Sequence, residues 1–447
     1  MRRDLMHKDI PVAELDIDEA DGSIGEIVRV LDVDRLPVGS VVDGDVRRDR
    51  LKAWWSGRSI PVTRSGIAHL MRALDLDSTG PLLSRSMGLS LSDHYWIRPS
   101  DTNVSWDEVN FFDNGFSDDL GDLLFGKDVW VGEMDFRSPD STSDGLLRKR
   151  WKIIGGRRCL IKSGTSPYMQ EPFNEVIASR LAGVLGIPAV EYGIMEYEGI
   201  PCSVCDDFVT KDTELVSAQQ VMRSEIHEPG ISSYDHLISC CSHHSIDIVP
   251  FLDRMLALDY IIANGDRHFN NFGILRDPDT LEWLGPAPVY DSGSSLGFDL
   301  EPEDIVDHAG ESRKPFAEYF GIQMGYVKDL SWLDMGALRT GIAEAGELLG
   351  SVERYRAKGR DQVILDLMDS RADEVCVSLR DHFGDISSAR MTSFLLQHSK
   401  SGFMSSVQRQ PVSLFFIIWG MVCSRPLIRV LPSRDSGRSP HSSRYDL

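Results

Sequence analysis

The chain has few of the features that mark secreted or membrane proteins. Its 447 residues include only seven cysteines, an odd number that suits a reducing compartment better than a disulfide framework. The N-terminus, Met-Arg-Arg-Asp-Leu-Met-His-Lys-Asp, lacks the apolar core of a secretory signal. An apolar run at 411–423 has thirteen residues, whereas a membrane span needs about twenty. We therefore expect a cytoplasmic protein.

Positive charge is also scarce. The chain has 47 Lys and Arg residues against 69 Asp and Glu residues, which gives a formal net charge of −22. Nucleic acids and anionic membranes both need a basic binding surface, so we expect no direct nucleic-acid binding and no membrane binding. A composition of 42% hydrophobic and 26% charged residues is ordinary for a soluble globular protein.

The most informative part of the chain is a pair of polar motifs. They read Asn-Gly-Asp-Arg-His-Phe-Asn-Asn at 264–271 and Tyr-Asp-Ser-Gly at 290–293. Phosphoryl transfer needs one carboxylate to accept the proton of the attacking hydroxyl and oxygen ligands to hold Mg²⁺. Asp266 fits the first role, and Asn271 and Asp291 fit the second. Taken alone, Asp-Arg-His could equally be a surface turn with a salt bridge.

The sequence between the two motifs predicts a β-hairpin. Residues 272–276 and 281–284 are apolar and strand-like, and Asp-Pro-Asp-Thr at 277–280 is a strong turn former. A hairpin would bring Asn271 and Asp291 together. Just upstream, apolar residues on more than one helical face predict a buried helix at 251–262. This helix would present the motif at 264–271, which we call the catalytic loop.

Phosphoryl transfer also calls for a lysine that binds the nucleotide phosphates and a glutamate that orients it. Arg-Cys-Leu-Ile-Lys at 158–162 is strand-like and ends in Lys162. The segment 171–186 has Pro near its start, apolar residues at helical spacing and a terminal Gly, which predicts a helix that carries Glu175. Either residue alone is typical of a solvated surface, but their order along the chain favours a nucleotide site.

These motifs resemble those of the HipA-like serine/threonine kinase family. The resemblance covers roughly residues 20–390 and implies a bilobal, α+β, protein-kinase-like fold. It implies Asp266 as the catalytic base, Asn271 and Asp291 as metal ligands, and His268 close to the phosphates of ATP. Common protein kinases have His-Arg-Asp and Asp-Phe-Gly where this chain has Asp-Arg-His and Tyr-Asp-Ser-Gly.

The resemblance implies a phosphate loop at 138–150, a small, polar segment that is neither a Walker loop nor a Gly-x-Gly-x-x-Gly loop. Its backbone amides and hydroxyls could line the phosphates of ATP. Ser141, Thr142 and Ser143 are the candidates for this contact, and also for the autophosphorylation seen in some relatives. The sequence does not choose among the three.

The resemblance also implies the position of the hinge that meets adenine. It falls at 204–208, after the helix that carries Glu175. Asp206 and Phe208 would act there mainly through backbone atoms. Beyond the second motif, Arg313 and Lys314 lie where kinases place substrate-facing segments, and they could contact substrate or phosphate.

The chain divides into four predicted segments. Residues 1–126 form an N-terminal extension that is β-rich and then helical, 127–207 form the kinase N-lobe, and 208–394 form a mainly helical C-lobe with the catalytic and metal-binding loops. The tail at 395–447 has seven Lys and Arg residues against two Asp and Glu residues. It could be a disordered appendage, a membrane-touching anchor, a partner-binding tail or an out-of-frame extension unrelated to function, and the abrupt change of composition favours the first and the last.

Two residue clusters have competing interpretations. Cysteines at 202, 205, 240 and 241, with the histidines at 243–244, could form a zinc site. Core packing is favoured, because the first pair lies in an apolar, strand-like segment and the second pair is expected at the end of a helix. The aromatic residues of the N-terminal extension could form a partner surface, although core and interdomain packing is favoured. They are Trp54, Trp55, Tyr95, Trp96, Trp106, Phe111 and Phe112.

The resemblance implies transfer of the γ-phosphoryl group of ATP, with Mg²⁺, to a serine or threonine hydroxyl of a protein. Families of this kind often supply the toxin of a toxin–antitoxin pair, which implies a small helix-turn-helix antitoxin as partner. One alternative is a lipid or small-molecule acceptor, since a Gly-Asp-Arg-His-x-x-Asn run also occurs in phosphoinositide-type lipid kinases. The other is a catalytically silent, nucleotide-binding interaction module.

Overall fold

The computed structural model describes residues 1–306, 311–312 and 314–383. Residues 1–381 form one compact unit. The predicted tail at 395–447 lies outside the described residues, and so does Arg313.

Each of the first three predicted segments contains a sheet of three or four strands. The exact boundaries between the segments stay predictions. We call residues 1–126 the N-terminal region, 127–207 the N-lobe and 208–383 the C-lobe. The mixture of sheets and helices confirms the expected α+β class.

The N-terminal region is a strand-rich unit with short helices. Its elements are β1 (Arg2–His7), β2 (Ile10–Ile17), β3 (Ile24–Val30), β4 (Val41–Val42), β5 (Asp45–Val46), α1 (Arg48–Ser56), α2 (Ile67–Ala73), α3 (Gly80–Arg85), β6 (Tyr95–Pro99), α4 (Trp106–Val109) and α5 (Asp119–Leu124). The antiparallel sheet has the order β3-β2-β1-β6. Its apolar side chains, among them Leu5, Leu15 and Ile27, form a core with Trp55 of α1.

The aromatic residues of this region lie in the protein interior. Trp55, Trp96 and Phe111 are at most 1% exposed. Trp54 and Phe112 are partly buried against neighbouring core clusters. Core packing is therefore confirmed over a partner surface.

The N-lobe is a second antiparallel sheet crossed by one helix. Two short 3₁₀ helices, Val131–Glu133 and Pro139–Thr142, precede β7 (Lys149–Ile154), β8 (Arg157–Ser163), α6 (Glu171–Val184), β9 (Tyr192–Tyr197) and β10 (Ile200–Asp206). The strand order is β7-β8-β10-β9. The lysine strand and the helix that follows it are therefore confirmed as β8 and α6.

The C-lobe is mainly helical, as the sequence predicts. It contains β11 (Glu214–Ser217), α7 (Ala218–Arg223), α8 (Ser233–His243), α9 (Val249–Ile261), β12 (Gly273–Arg276), β13 (Trp283–Pro286), α10 (Pro302–Ile305), α11 (Phe320–Met324), α12 (Met335–Gly350), α13 (Glu353–Arg356) and α14 (Arg360–Phe383). The predicted buried helix is α9, and the predicted hairpin is β12 paired antiparallel with β13. None of the helices described is long and apolar enough to span a bilayer.

The four cysteines considered as zinc ligands are buried in two separate elements. Cys202 and Cys205 lie on β10, and Cys240 and Cys241 lie on α8. Among the residues that the structure describes, the one group of three possible metal ligands with atoms within 4.8 Å of one another contains no cysteine. The geometry therefore supports core packing for these thiols.

That group of three is His7, His94 and Glu214, at the contact between the N-terminal region and the C-lobe. Glu214 is 1% exposed and pairs with Arg276 of β12 at 2.6 Å. Arg35 donates to Nδ1 of His7 at 3.2 Å, so the His7 proton lies on Nε2 and is donated to Glu214 at 3.0 Å. Because Nε2 of His7 has no free lone pair, the group fits a buried polar network and not a metal site.

Candidate active site

The cleft between the N-lobe and the C-lobe contains a cavity of about 940 Å³, a size ordinary for a small-molecule site. It is lined by residues of every predicted part of the nucleotide site. They are Thr142 and Ser143 of the predicted phosphate loop, Lys162, Asp206 and Phe208 of the predicted hinge, and Asp266, His268, Asn271 and Asp291. Of the predicted site residues, Ser141 and Glu175 do not line this cavity.

Lys162 lies at the centre of the cleft, near the end of β8. Its Nζ is 2.8 Å from Oε1 of Glu175 and 2.7 Å from Oδ1 of Asp291. Burial alone would lower the pKa of Lys162, but the two carboxylates raise it well above its ordinary value. Lys162 is therefore a fixed cation that ties α6 to the segment around Asp291.

Asp291 remains ionised although its side chain is only one-third exposed. Burial alone would raise the pKa of Asp291, but Lys162 and Lys149 lower it far below its usual range. Its φ of 57° is in the left-handed region, which costs energy for a non-glycine residue and is often found at functional sites. Contacts around Asp291 must therefore hold the backbone in place.

The polar side of α6 supplies those contacts. Oε2 of Glu175 accepts a hydrogen bond from the backbone N–H of Ser292 at 2.9 Å. Nδ2 of Asn174 donates to the carbonyl oxygens of Gly293 at 2.9 Å and Ser295 at 2.6 Å. A Cβ at Gly293 would be only 3.2 Å from the carbonyl oxygen of Glu171, so glycine allows this close approach. Asn174 is a positioning residue that the sequence analysis missed.

Arg267 of the first motif connects several parts of the site. It is fully buried and makes a two-pronged pair with Asp259 of α9, at 2.9 and 3.0 Å. It also donates to the carbonyl oxygen of Asn271 at 2.9 Å and to Oγ of Ser292 at 2.7 Å. Arg267 thus joins the catalytic loop to the segment that contains Asp291. It fixes the backbone at the two metal-ligand candidates, Asn271 and Asp291, relative to each other.

The catalytic loop directs polar atoms into the cleft. Nδ2 of Asn271 donates to the carbonyl oxygen of Asp266 at 3.0 Å, which leaves Oδ1 of Asn271 as an acceptor. Nδ1 of His268 accepts from the backbone N–H of Asn270 at 3.2 Å, so the ring proton lies on Nε2. The carboxylate of Asp266 is 42% exposed at the mouth of the cleft. Asn271 and Asp291 together offer oxygen ligands that suit Mg²⁺.

The predicted phosphate loop is held by the N-terminal region. Oγ of Ser141 donates to Oγ of Ser86 at 2.6 Å and is buried. Oγ1 of Thr142 donates to the carbonyl oxygen of Leu89 at 3.0 Å, and Arg64 donates to Oγ of Ser143 at 2.7 Å. Of the three candidates, Thr142 and Ser143 line the cleft, whereas the Ser141 hydroxyl is buried and bonded away from it. Contact of any of them with phosphate stays a prediction.

The predicted hinge borders the cleft opposite the catalytic loop. The carboxylate of Asp206 points outward and pairs with Arg157 at 2.7 Å. The ring of Phe208 stacks on that of Tyr290, with centroids 5.3 Å apart. Within the described residues, the backbone N–H and C=O of Phe208 make no hydrogen bond, as expected of a hinge that contacts its ligand through the main chain.

Lys149 is a second lysine of the cleft, and the sequence analysis placed it in the predicted phosphate loop at 138–150. It lies directly opposite Lys162 on the neighbouring strand and is 8% exposed. Burial lowers its pKa to about 8, and no hydrogen-bond partner of its Nζ is recorded within the described residues. In the sequence, the signal for this residue is a lysine at the start of a strand, four residues after Gly145. In the structure, a Cβ at Gly145 would be only 2.6 Å from Nζ of Lys149.

A lysine strand, a helix whose glutamate holds that lysine, a hinge and an acidic catalytic loop around one cleft define a kinase-like fold. Residues 145–348 match the family described as HipA-like C-terminal domain. This part of the chain is thus similar to the HipA-like C-terminal domain, which confirms the resemblance read from the motifs.

Individual relatives cover different parts of the chain. Serine/threonine-protein kinase CtkA of Helicobacter pylori strain J99 is 29% identical over 136 residues, which are 29% of this chain and 42% of CtkA. The chain therefore spans less than half of the length of that relative. A crystal structure of H. pylori CtkA aligns with a TM-score of 0.36 and 18% identity, over 51% of this chain and 95% of that one.

A second solved structure aligns over more of the chain. It is the complex of HipA, HipB and operator DNA from Shewanella oneidensis, with a TM-score of 0.49, 13% identity and coverage of 83% of this chain and 97% of that one. Both TM-scores lie below 0.5, so the fold assignment depends on the family match and on the arrangement of the cleft.

Proposed function

We propose that this protein transfers the γ-phosphoryl group of ATP, with Mg²⁺, to a serine or threonine hydroxyl of another protein. The observation that carries the proposal is the convergence of Lys162, Asp266 and Asp291 on one cavity. The name of H. pylori CtkA, a serine/threonine-protein kinase, supports the same acceptor class. The odd number of seven cysteines supports a cytoplasmic location.

The residues of the cleft fit both ATP and Mg²⁺. Lys149 and Lys162 lie opposite each other on neighbouring strands and both line the cavity, which suits an anionic polyphosphate. Asn271 and Asp291 would hold Mg²⁺ through oxygen atoms, and the ion would neutralise charge on the phosphates. The main chain at Phe208 would contact adenine, and Nε2–H of His268 could donate to a phosphate oxygen.

Asp266 would act as the general base. Its carboxylate takes the proton of the acceptor hydroxyl while a bond forms between the acceptor oxygen and the γ-phosphorus. The bond between the γ-phosphorus and the β–γ bridging oxygen breaks, and its electron pair leaves with ADP. Glu175 and Arg267 touch no reacting atom in this scheme, and they position Lys162 and the two metal ligands.

The two alternatives receive less support from the chain. A charge of −22 opposes work at an anionic lipid surface. A silent nucleotide-binding module would not need Asp266, Asn271, Asp291 and Lys162 together, and all four line the cavity.

Incubation of purified protein with γ-labelled ATP and Mg²⁺ tests the proposal directly. Cell extract, phosphoinositide vesicles and small polyols serve as parallel acceptors. Label on serine or threonine of protein is expected, and label should be lost in Asp291→Ala. Label on lipid or polyol alone would replace the acceptor class, and absence of label in every arm would overturn the kinase proposal.

Removal of the second cleft lysine should weaken nucleotide binding. Lys149→Met is expected to raise the Kd of ATP·Mg²⁺ about tenfold to a hundredfold, because a hydrogen bond to a charged group contributes about 1.5–3 kcal/mol. Isothermal titration calorimetry measures the change. Lys152→Met is the matched control, since Lys152 lies on the same strand but pairs with Asp118 at 2.6 Å, away from the cleft. Equal affinities of the two variants would remove Lys149 from the site.

We also propose a small DNA-binding antitoxin as a protein partner. The proposal follows from the family, whose S. oneidensis structure contains HipA, HipB and operator DNA. With a charge of −22, this chain is expected to leave most DNA contacts to the partner. A helix-turn-helix gene beside this one, and co-purification of the two products, would support the pairing.

A further inference from the structure

A segment downstream of Asp291 brings another lysine to the catalytic aspartate. Nζ of Lys314 pairs with Oδ1 of Asp266, and both side chains line the cavity. Each side chain is 42% exposed, and an ion pair so accessible to water contributes only about 0–1 kcal/mol to stability. Stabilisation of the fold is therefore a weak explanation for the contact.

The backbone around Lys314 is held firmly by the C-lobe. Its carbonyl oxygen accepts hydrogen bonds from Oγ of Ser312 and from Nε2 of Gln323, a residue of α11 that is 4% exposed. Oε1 of the same Gln323 accepts from the backbone N–H of Phe316 at 3.3 Å. The Phe316 ring packs edge-to-face on Tyr234, with centroids 5.2 Å apart. The fold thus fixes the position from which Lys314 reaches Asp266.

The position of Lys314 relative to the reaction follows from that of Asp266. A general base must approach the acceptor hydroxyl to about 2.6–3.2 Å, and the acceptor oxygen must approach the phosphorus to about 3–3.5 Å. A cation in contact with the base is therefore beside the acceptor oxygen and the transferring group. Lys162 lies elsewhere in the cleft, because its Nζ contacts Glu175 and Asp291 and not Asp266.

We propose that Lys314 is a catalytic residue that binds the transferring phosphoryl group on the acceptor side of the cleft. The inference depends on the kinase activity proposed above and assigns a further residue to it. In this arrangement Lys149 and Lys162 bind the nucleotide in the ground state, whereas Lys314 stabilises charge on the group in transit. Interactions made with the group in transit, in the transition state, raise kcat more than they lower KM.

Steady-state kinetics on the full-length chain test the proposal. Lys314→Met is expected to lower kcat about 10²-fold to 10³-fold, as for loss of one transition-state ligand, with less than a tenfold change in the KM of ATP. Lys314→Arg should recover part of the lost kcat because it keeps the charge. Lys328→Met is the control, because Lys328 is exposed and lies over the Tyr234 ring, away from the cavity. Thermal melting of every variant reports folding separately.

The outcomes separate this inference from the proposed function. A fall in kcat with partial rescue by arginine supports it. An unchanged kcat, or a fall matched by a lower melting temperature and no rescue, would make Lys314 structural. A rise in kcat would show that Lys314 blocks the base, which also overturns the inference. If the wild-type chain transfers no phosphate to any acceptor, the kinase proposal fails first.

Discussion

Asp266→Asn is expected to lower kcat about 10²-fold to 10⁴-fold, the usual contribution of a positioned general base. Asparagine keeps the size of the side chain but cannot take the proton of the acceptor hydroxyl. The Kd of ATP·Mg²⁺ should change little, because Lys149, Lys162, Asn271 and Asp291 remain in the cleft. Single-turnover phosphoryl transfer and a separate nucleotide titration measure the two quantities.

A matched control for this variant is Asp212→Asn, since Asp212 is exposed and does not line the cavity. Its kcat should equal that of the wild type. If Asp266→Asn retains kcat within about tenfold while Asp291→Ala is inactive, a different group takes the proton and the base assignment is wrong.

Glu214→Gln is expected to lower the free energy of unfolding by about 3–5 kcal/mol, the usual cost of removing one partner of a buried ion pair. Glutamine has nearly the same shape, but it leaves the guanidinium of Arg276, 4% exposed, without its counter-charge. Urea denaturation followed by circular dichroism measures the change. Glu196→Gln is the control, because Glu196 is exposed on β9, and surface changes of this kind cost within about 0.5 kcal/mol. A cost below about 1 kcal/mol for Glu214→Gln would show that Arg276 finds another partner.

The same network makes stability depend on pH in a defined direction. Burial lowers the pKa of His7 below its ordinary value of 6.5, so between that value and the folded pKa only the unfolded chain binds the proton. Stability therefore falls as pH falls below about 6.5. Burial opposes ionisation of Glu214, but His7, His94 and Arg276 lower its pKa well below the ordinary 4.5. A second loss of stability is therefore expected as the pH falls below about 4.5, and the Glu214→Gln variant should not show this second loss.

Short-range sequence chemistry made some elements predictable. Asp-Pro-Asp-Thr between two apolar runs is a local turn signal, and the structure confirms the β12–β13 hairpin. The prolines at 172 and 250 lie in the first turns of α6 and α9, where a missing N–H costs nothing. The residue types and spacing of the two polar motifs singled out Asp266, Asn271 and Asp291, and the structure brings all three to one cavity.

Other features depend on contacts between distant parts of the chain. Arg267 resembles a surface arginine until Asp259 and Ser292 are placed around it. The inward direction of Lys149 depends on strand register with Lys162, which a one-residue slip would reverse. The burial of Ser141 depends on Ser86, 55 positions earlier in the chain. Local pattern carries no information on any of these pairings.

The contacts between the N-terminal region and the predicted phosphate loop decide which truncated forms of this protein can keep the cleft intact. The family match begins at residue 145, yet Thr142 and Ser143 line the cavity, and Arg64 and Leu89 hold their hydroxyls. A fragment that starts at the family boundary would therefore discard part of the cleft wall and all of its support. The smallest piece that retains an intact cleft is larger than the smallest piece that sequence comparison recognises.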